Sequence, residues 1–428
     1  MKKSILPIAA FAALAAVADP ADPRISNVSV SQDPVSRRVT VTYGLDEDAV
    51  VTMDVMTNHV SIGGQNINHV YGDCNRIVQA GSAKTFYWRP EKSWPGQRID
   101  EEIVSIKVTA WAKDAPPDYM VVDLVNGATR YYPAQEFLPN GGVTADIYKT
   151  ELLVMRKIPS GGVEWRMGSP EGEPGRWRHA ANTGVPQAAE TPLYVTLSND
   201  FYIGVYEFTQ RQAEIVRGSR YGSYFKNADC YRMRPVEYVC VNDLLSDSGL
   251  VAKLRTVSGN SGFTLPLEAE WEFACRAGTM TGLYSGKEIA ADQVKDANVD
   301  PLGRYYHNGG YVYDSSTGTY SEPDMNTCTT DAGTAVVGSY QPNGYGLYDM
   351  YGNVAEFCRE NYIADRTDVD PNAGYVGGDQ VTARGGGWKS ISADCRSASR
   401  YPHSADWGAS RSLTDMGFRV SCPAKAVR

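Results

Sequence analysis

Asn343-Gly344-Tyr345-Gly346-Leu347-Tyr348-Asp349-Met350 runs, one residue later, into Gly352-Asn353-Val354-Ala355-Glu356-Phe357. The stretch is dense in glycine and aromatic rings and carries no sustained helical or strand period. Gly344-x-Gly346 is not a dinucleotide fingerprint, because Asp349 stands where the third glycine belongs and no buried strand precedes it. Reading outward, loops dominate for about 150 residues beyond Ala277, a length that stays compact only if something besides backbone pairing holds it. Disulfides and bound cations are the expected fasteners.

Two helices are expected upstream. One covers Thr209 to Val216, after the strand-like Phe201-Tyr202-Ile203. The other covers Leu267 to Arg276, where Leu267, Trp271, Ala274 and Cys275 form one apolar stripe, Pro266 suits the entry and Gly278 the exit. Before residue 142 the period is two. Val39, Val41 and Tyr43 alternate with Thr40 and Thr42; Val51, Met53 and Val55 repeat the pattern, as do Val104, Ile106, Val108 and Ala110. Short alternating strands between turn signals such as Gly63-Gly64 and Pro95-Gly96 indicate an all-β, immunoglobulin-like sandwich over residues 19–141. Leu138-Pro139-Asn140-Gly141-Gly142 breaks regular structure and marks the boundary with a loop-rich domain over 142–428.

The chain start sets the expected compartment. Met1-Lys2-Lys3, an apolar run from Ile5 to Val17 and the small-residue site Ala16-Val17-Ala18 read as a signal peptide, residues 1–18, cleaved near Ala18. No other segment is apolar enough for a transmembrane span, so a secreted, periplasmic or cell-surface protein is expected. With 41 Lys+Arg against 50 Asp+Glu in 428 residues the chain is acidic at −9, which argues against nonspecific nucleic-acid binding. Five His, none in a helical H-x-x-x-H arrangement, exclude zinc-hydrolase chemistry of that kind. Eight Cys in an oxidising compartment make disulfides plausible, with the pairing open.

Taken in order, Met167-Gly168-Ser169, Glu190-Thr191-Pro192, Phe201 to Thr209, Leu265 to Ala274, the quoted stretch, Arg384-Gly385-Gly386-Gly387-Trp388, Cys395-Arg396-Ser397-Ala398 and Gly417-Phe418-Arg419-Val420 resemble the formylglycine-generating enzyme (sulfatase-modifying factor) family over about residues 150–428. The resemblance implies an irregular α+β C-type-lectin-like fold with little regular secondary structure that commonly binds calcium. Active members carry two cysteines soon after the Arg-Gly-Gly motif and use copper and oxygen. Here, counted without gaps, Ser390 falls at the first cysteine position and Cys395 at the second, and Gly387 replaces the family's active-site serine. One thiolate beside a hydroxyl does not make the two-sulfur site that Cu(I) prefers. Cys395 aligns equally with a structural cysteine that, in the family, pairs with the cysteine of the Glu-Trp-Glu helix, here Cys275. The iron enzymes of the ergothioneine pathway need three histidines that this chain does not place together.

The resemblance also implies a Ca²⁺ site made of Asp349, the carbonyls of Gly352 and Val354, and Glu356, and a second one starting at Asn298-Val299 with Asp331 downstream. Hard oxygens from one short loop suit Ca²⁺ at about 2.4 Å. The bland alternative is that Asp349 only caps a turn while Glu356 faces solvent. Three functions follow as expectations. The first is a secreted, calcium-binding module whose 388–412 loops, with Trp388, Tyr401, His403, Asp406 and Trp407, contact a protein or glycan ligand. The second is a formylglycine-generating oxidase acting on a cysteine of an exported sulfatase, with copper. The third is a purely structural envelope protein. Tyr311, Tyr313 and Tyr320 form either a stacking platform or an ordinary Tyr-rich loop.

Overall fold

The computed structural model describes residues 12–15, 22–96, 103–226, 230–290, 295–314, 316, 319–321, 332–374, 379–405 and 413–426. The chain packs as two compact units, one made of residues 1–122, 128–145 and 424–428, the other of 123–127 and 146–423.

In the first unit the period-two segments become strands. Ile25–Gln32, Val39–Leu45, Gly81–Trp88 and Val70–Gly72 pair antiparallel, in that order, as one sheet. Ala49–Thr57 carries Val104–Trp111 on one side and both Val60–Ser61 and Arg76–Val78 on the other. Ala12–Ala15, inside the expected signal peptide, lies parallel to Val104–Trp111 at the edge of this second sheet. Alternation puts Val39, Val41 and Tyr43 on the same apolar core as Val51, Met53, Val55, Val104, Ile106 and Val108, with Phe86 and Trp88 among them. Two buried aromatic tips are satisfied: the Tyr43 hydroxyl donates to the Asp73 carbonyl at 2.6 Å and Trp88 Nε1 to Ser93 Oγ at 3.0 Å.

The second unit is mostly irregular. Leu152–Ile158, Phe201–Gly204 and Ser421–Pro423 form one antiparallel run. Arg400–Ser404, Gln380–Arg384, Ala355–Asn361 and Met416–Gly417 form a four-stranded sheet. Both expected helices are present. Gln210–Arg217 starts at Thr209, whose Oγ1 accepts from Gln212 N at 3.2 Å while Gln212 Oε1 accepts from Thr209 N at 3.1 Å, a reciprocal cap. Glu268–Arg276 buries Trp271, Ala274 and Cys275 completely. Its left-handed terminal residue is Ala277 (φ 46°), one position before the glycine expected to end it. Helices at Arg176–Thr183, Val241–Leu245 and Leu250–Ser258 were not legible from periodicity. No helix among the described residues is long and apolar enough to cross a membrane.

Of the two expected fasteners, disulfides are not seen among the described residues. The described cysteines, Cys74, Cys230, Cys240, Cys275, Cys358, Cys395 and Cys422, are all free; Cys328 lies outside the described residues. Fully buried arginines tie the loops together. Arg396 donates to Glu173 Oε1 at 2.6 Å and to Glu190 Oε1 at 2.8 Å. Arg384 bridges Glu268 at 2.7 Å and Glu272 at 2.9 Å, and Arg400 reaches Glu268 at 2.6 Å. Such pairs add little net stability over apolar packing, but breaking one strands a buried charge. They also fix which loop meets which.

These pairs set a pH profile. Burial alone raises the carboxyls of Glu190 and Glu268, but Arg396 for the former, and Arg384 and Arg400 for the latter, overcome it and bring each down to about 2. Their stabilisation is present above the ordinary value of 4.5 and is lost as pH falls toward 2. Burial pushes Glu237 and Glu360 the other way, each to about 8. Their contribution is full below 4.5 and is lost as pH rises through 8. Urea midpoints across a pH series are therefore expected to peak in the mildly acidic range, not at neutrality. Midpoints that stay flat from pH 5 to pH 8 would contradict this.

Candidate functional site

The strand Gln380–Arg384 ends in Gly385 and Gly386, both left-handed (φ 85° and 69°). A side chain at Gly386 would meet Cys395 Sγ at 3.0 Å and Ser390 Oγ at 3.2 Å, so thiol and hydroxyl flank one small space. Only glycine tolerates both that φ and that crowding. A tight turn aims the serine, with Gly387 N donating to Ser390 Oγ at 3.0 Å and Ser390 N to the Gly387 carbonyl at 2.9 Å. The turn Ser392–Asp394 delivers Cys395 from the other side. Its thiol is fully buried, and burial, reinforced by the Asp394 charge, pushes it well above the ordinary thiol range. Ser390 and Cys395 thus lie side by side at Gly386. They offer one soft donor, held protonated, and one hydroxyl, which does not fit a Cu(I) dithiolate.

The expected Cys275–Cys395 bridge is absent. Cys275 Sγ points at Ser397 Oγ, 3.7 Å away, which also shares a 2.6 Å hydrogen bond with the Tyr351 hydroxyl. Cys395 turns instead toward Gly386. Burial pushes the Cys275 thiol up to about 12.

Four residues at this space and at a second locus were not singled out from the sequence as site residues. His179 Nδ1 lies 2.7 Å from Asp394 Oδ1, and its Nε2 lies 3.1 Å from the Arg400 carbonyl. Asp394 and the Arg400 carbonyl thus hold the ring between them, one at each nitrogen. Glu207 and Arg419 belong to the second locus, the Asp349 loop. Both sat inside quoted motifs, where a charged residue amid apolar neighbours was the available signal.

Asp349 is buried in a left-handed conformation (φ 55°). Its Oδ2 accepts from Gly338 N at 2.5 Å, while Oδ1 is buried without a partner. Burial raises its carboxyl to about 6. Gly352 holds the turn, since a Cβ there would lie 2.0 Å from the Arg304 carbonyl oxygen. Glu356 departs from expectation: it is neither an open cation ligand nor solvent-facing. Arg419 donates to its Oε1 at 2.6 Å and its Oε2 at 2.7 Å, and Trp271 Nε1 donates to Oε2 at 2.6 Å. Glu207, fully buried, accepts from Val354 N at 3.0 Å and Asn353 Nδ2 at 2.5 Å. Burial, then the charges of Asp349 and Glu356, raise it well above the ordinary carboxyl range. Three buried carboxylates thus face one buried guanidinium, with Lys149 also acting on Asp349. Asp349 Oδ1, buried without a partner, is the hard oxygen here that a divalent cation would take, since Arg419 and Trp271 hold Glu356. Among the described residues no three His, Cys, Asp or Glu side chains converge as a metal cluster, so any such cation must rest largely on backbone oxygens.

At the second expected cation site Asn298 Nδ2 donates to the Glu288 carbonyl at 2.9 Å and Val299 is fully buried. The turn is organised by Asp296, which accepts from Ala290 N and Asn298 N. Asp331 lies outside the described residues, as do Asp406 and Trp407.

Trp388, expected on the ligand surface, is fully buried. Its Nε1 donates to the Thr414 carbonyl at 2.9 Å, Phe225 meets it edge-on and Tyr311 stacks on it at 5.5 Å. Phe225 and Tyr311 thus cover this indole, which packs as core. Tyr401 and His403 are half-buried, with His403 edge-on to Phe357. Tyr313 and Tyr320 pair across the short hairpin Val312–Asp314 and Thr319–Ser321.

Comparison with known proteins follows the same lines. A sulfatase-modifying factor enzyme 1-like domain matches residues 155–422. The chaperone protein LppX of Paenibacillus barcinonensis is 30% identical over 227 residues, 46% of this chain and 71% of that protein. The formylglycine-generating enzyme of Thermomonospora curvata is 34% identical over 137 residues, 29% of this chain and 38% of the enzyme, well under half its length. Among solved structures, Treponema denticola variable protein 1 aligns over 64% of this chain and 95% of its own at 22% identity, with a TM-score of 0.46. The chain belongs to the sulfatase-modifying factor, or formylglycine-generating-enzyme, family.

Proposed function

We propose that this protein is an exported binding module built on the formylglycine-generating-enzyme scaffold, without the family's copper chemistry. One observation carries the reading: the space over Gly386 offers a hydroxyl, Ser390, and a single buried thiol, Cys395. In this reading the N-terminal unit is an immunoglobulin-like spacer, and residues 388–412 present the contact surface for a protein or glycan ligand, with Tyr401 and His403 within it. The likeness to a protein named a chaperone is in keeping with a protein ligand. The alternative, an oxidase acting on a cysteine of an exported sulfatase, draws support from Ser390 and Cys395 still sharing one space.

The proposal includes a structural Ca²⁺ seated at Asp349 Oδ1 and completed by the loop carbonyls of Gly352 and Val354, with Glu356 held by Arg419 and outside the coordination shell. A ligand that binds only the folded state stabilises it, by about 2.7 kcal/mol at a hundredfold excess over Kd. Millimolar Ca²⁺ is expected to raise the melting temperature of the chelated protein, and Asp349→Asn to abolish that rise. Glu356→Gln is expected to lower the melting temperature with and without calcium, while the calcium increment survives. An increment lost in Glu356→Gln but kept in Asp349→Asn would refute this assignment.

A further inference from the structure

Arg366 is 6% exposed, and neither Nη1 nor Nη2 has a hydrogen-bond partner. It lines a cavity of about 20 Å³, with Leu193, Val195, Ile363 and Val369 as apolar wall. That volume admits one water-sized particle. The carboxylates nearby are committed elsewhere. Glu268 receives Arg400 on both oxygens, at 2.6 and 2.7 Å, as well as Arg384. Glu272 receives Arg276 and Arg384. Glu360, which also lines the cavity, accepts from Glu268 N at 3.0 Å, and burial followed by the Glu268 charge raises its carboxyl to about 8, leaving it neutral at pH 7. Arg384 and Arg400 add to the positive field at Arg366. A buried guanidinium with both end nitrogens unpaired is costly unless something supplies the missing acceptor and charge. Water supplies an acceptor only; an anion supplies both.

We propose that this cavity is a site for a small monovalent anion of halide size, held by the Nη groups of Arg366 against an apolar wall. The anion fastens the loop around residues 363–371 over the helix Glu268–Arg276. The site is separate from the Gly386 space and from the Asp349 loop, and stands whether or not the protein is a binding module.

The test uses crystals of the full chain grown without halide and soaked in sodium bromide. The expected result is an anomalous bromine peak at hydrogen-bond distance from Arg366 Nη1 and Nη2. Density there without anomalous signal identifies water and overturns the proposal. In solution, bromide should raise the melting temperature saturably relative to gluconate at equal ionic strength, and Arg366→Gln should lose that rise. An equal rise in both proteins overturns the proposal too. Should Arg366→Gln fail to fold, the bromide soak of the unaltered protein still decides.

Discussion

Replacing Arg396 by methionine is expected to lower the unfolding free energy by about 3–5 kcal/mol, the usual cost of breaking a buried ion pair from one side. The side chain is fully buried and donates to Glu173, to both oxygens of Glu190 and to the Ala393 carbonyl. Its removal leaves two carboxylates inside the protein. Glu190 keeps Ser169 Oγ at 2.6 Å and the His179 ring at 3.8 Å, whereas Glu173 Oε2 has no partner even now. Lysine should rescue little, because one ammonium cannot present two parallel N–H groups to Glu190. Adding Glu190→Gln to Arg396→Met should recover part of the loss by removing one stranded charge. Urea unfolding at pH 7 checks all three variants. A loss under about 1 kcal/mol for Arg396→Met would mean that the buried arginines are not what fastens the loops.

The second large effect is a gain. Ser390→Cys would place a second sulfur beside the space over Gly386 that Cys395 already borders. The unaltered protein is expected to bind Cu(I) no more tightly than any protein with scattered buried thiols. Ser390→Cys should bind one equivalent orders of magnitude more tightly, since two soft donors then face one space. The double variant Ser390→Cys, Cys395→Ala should lose the gain. Competition against a chromophoric Cu(I) chelator reads all three. Tight, Cys395-dependent binding by the unaltered protein would show that another residue already completes the site.

How much of this was legible beforehand depended on the range of the interaction. Val39, Val41 and Tyr43 face a core because alternation is a local property, written in five consecutive residues. The helix Glu268–Arg276 was legible for the same reason, although its left-handed end begins at Ala277, one residue before the equally left-handed Gly278. The ordered motifs located the family and drew Ser390 and Cys395 to one place. Long-range pairing left no such trace. Arg396 and Glu190 are 206 residues apart, and nothing near either announces the other. Glu356 read as a cation ligand because the family resemblance carries a Ca²⁺ carboxylate to that position; the arginine that claims it lies 63 residues downstream. Trp388 read as a contact residue because aromatic rings in loops often are, but Phe225 and Tyr311 enclose it. His179 escaped notice because its partner, Asp394, comes from the far end of the domain.

The central claim is that this member of the family keeps the scaffold and lacks the oxidation chemistry. It is tested most directly by giving the purified protein copper, oxygen, a reductant and a cysteine-containing sulfatase peptide, then looking for aldehyde by mass spectrometry. The account predicts an unmodified cysteine, with Cys395 recovered as a free thiol. Catalytic formation of formylglycine, abolished by Cys395→Ala, would contradict it and establish the oxidase reading.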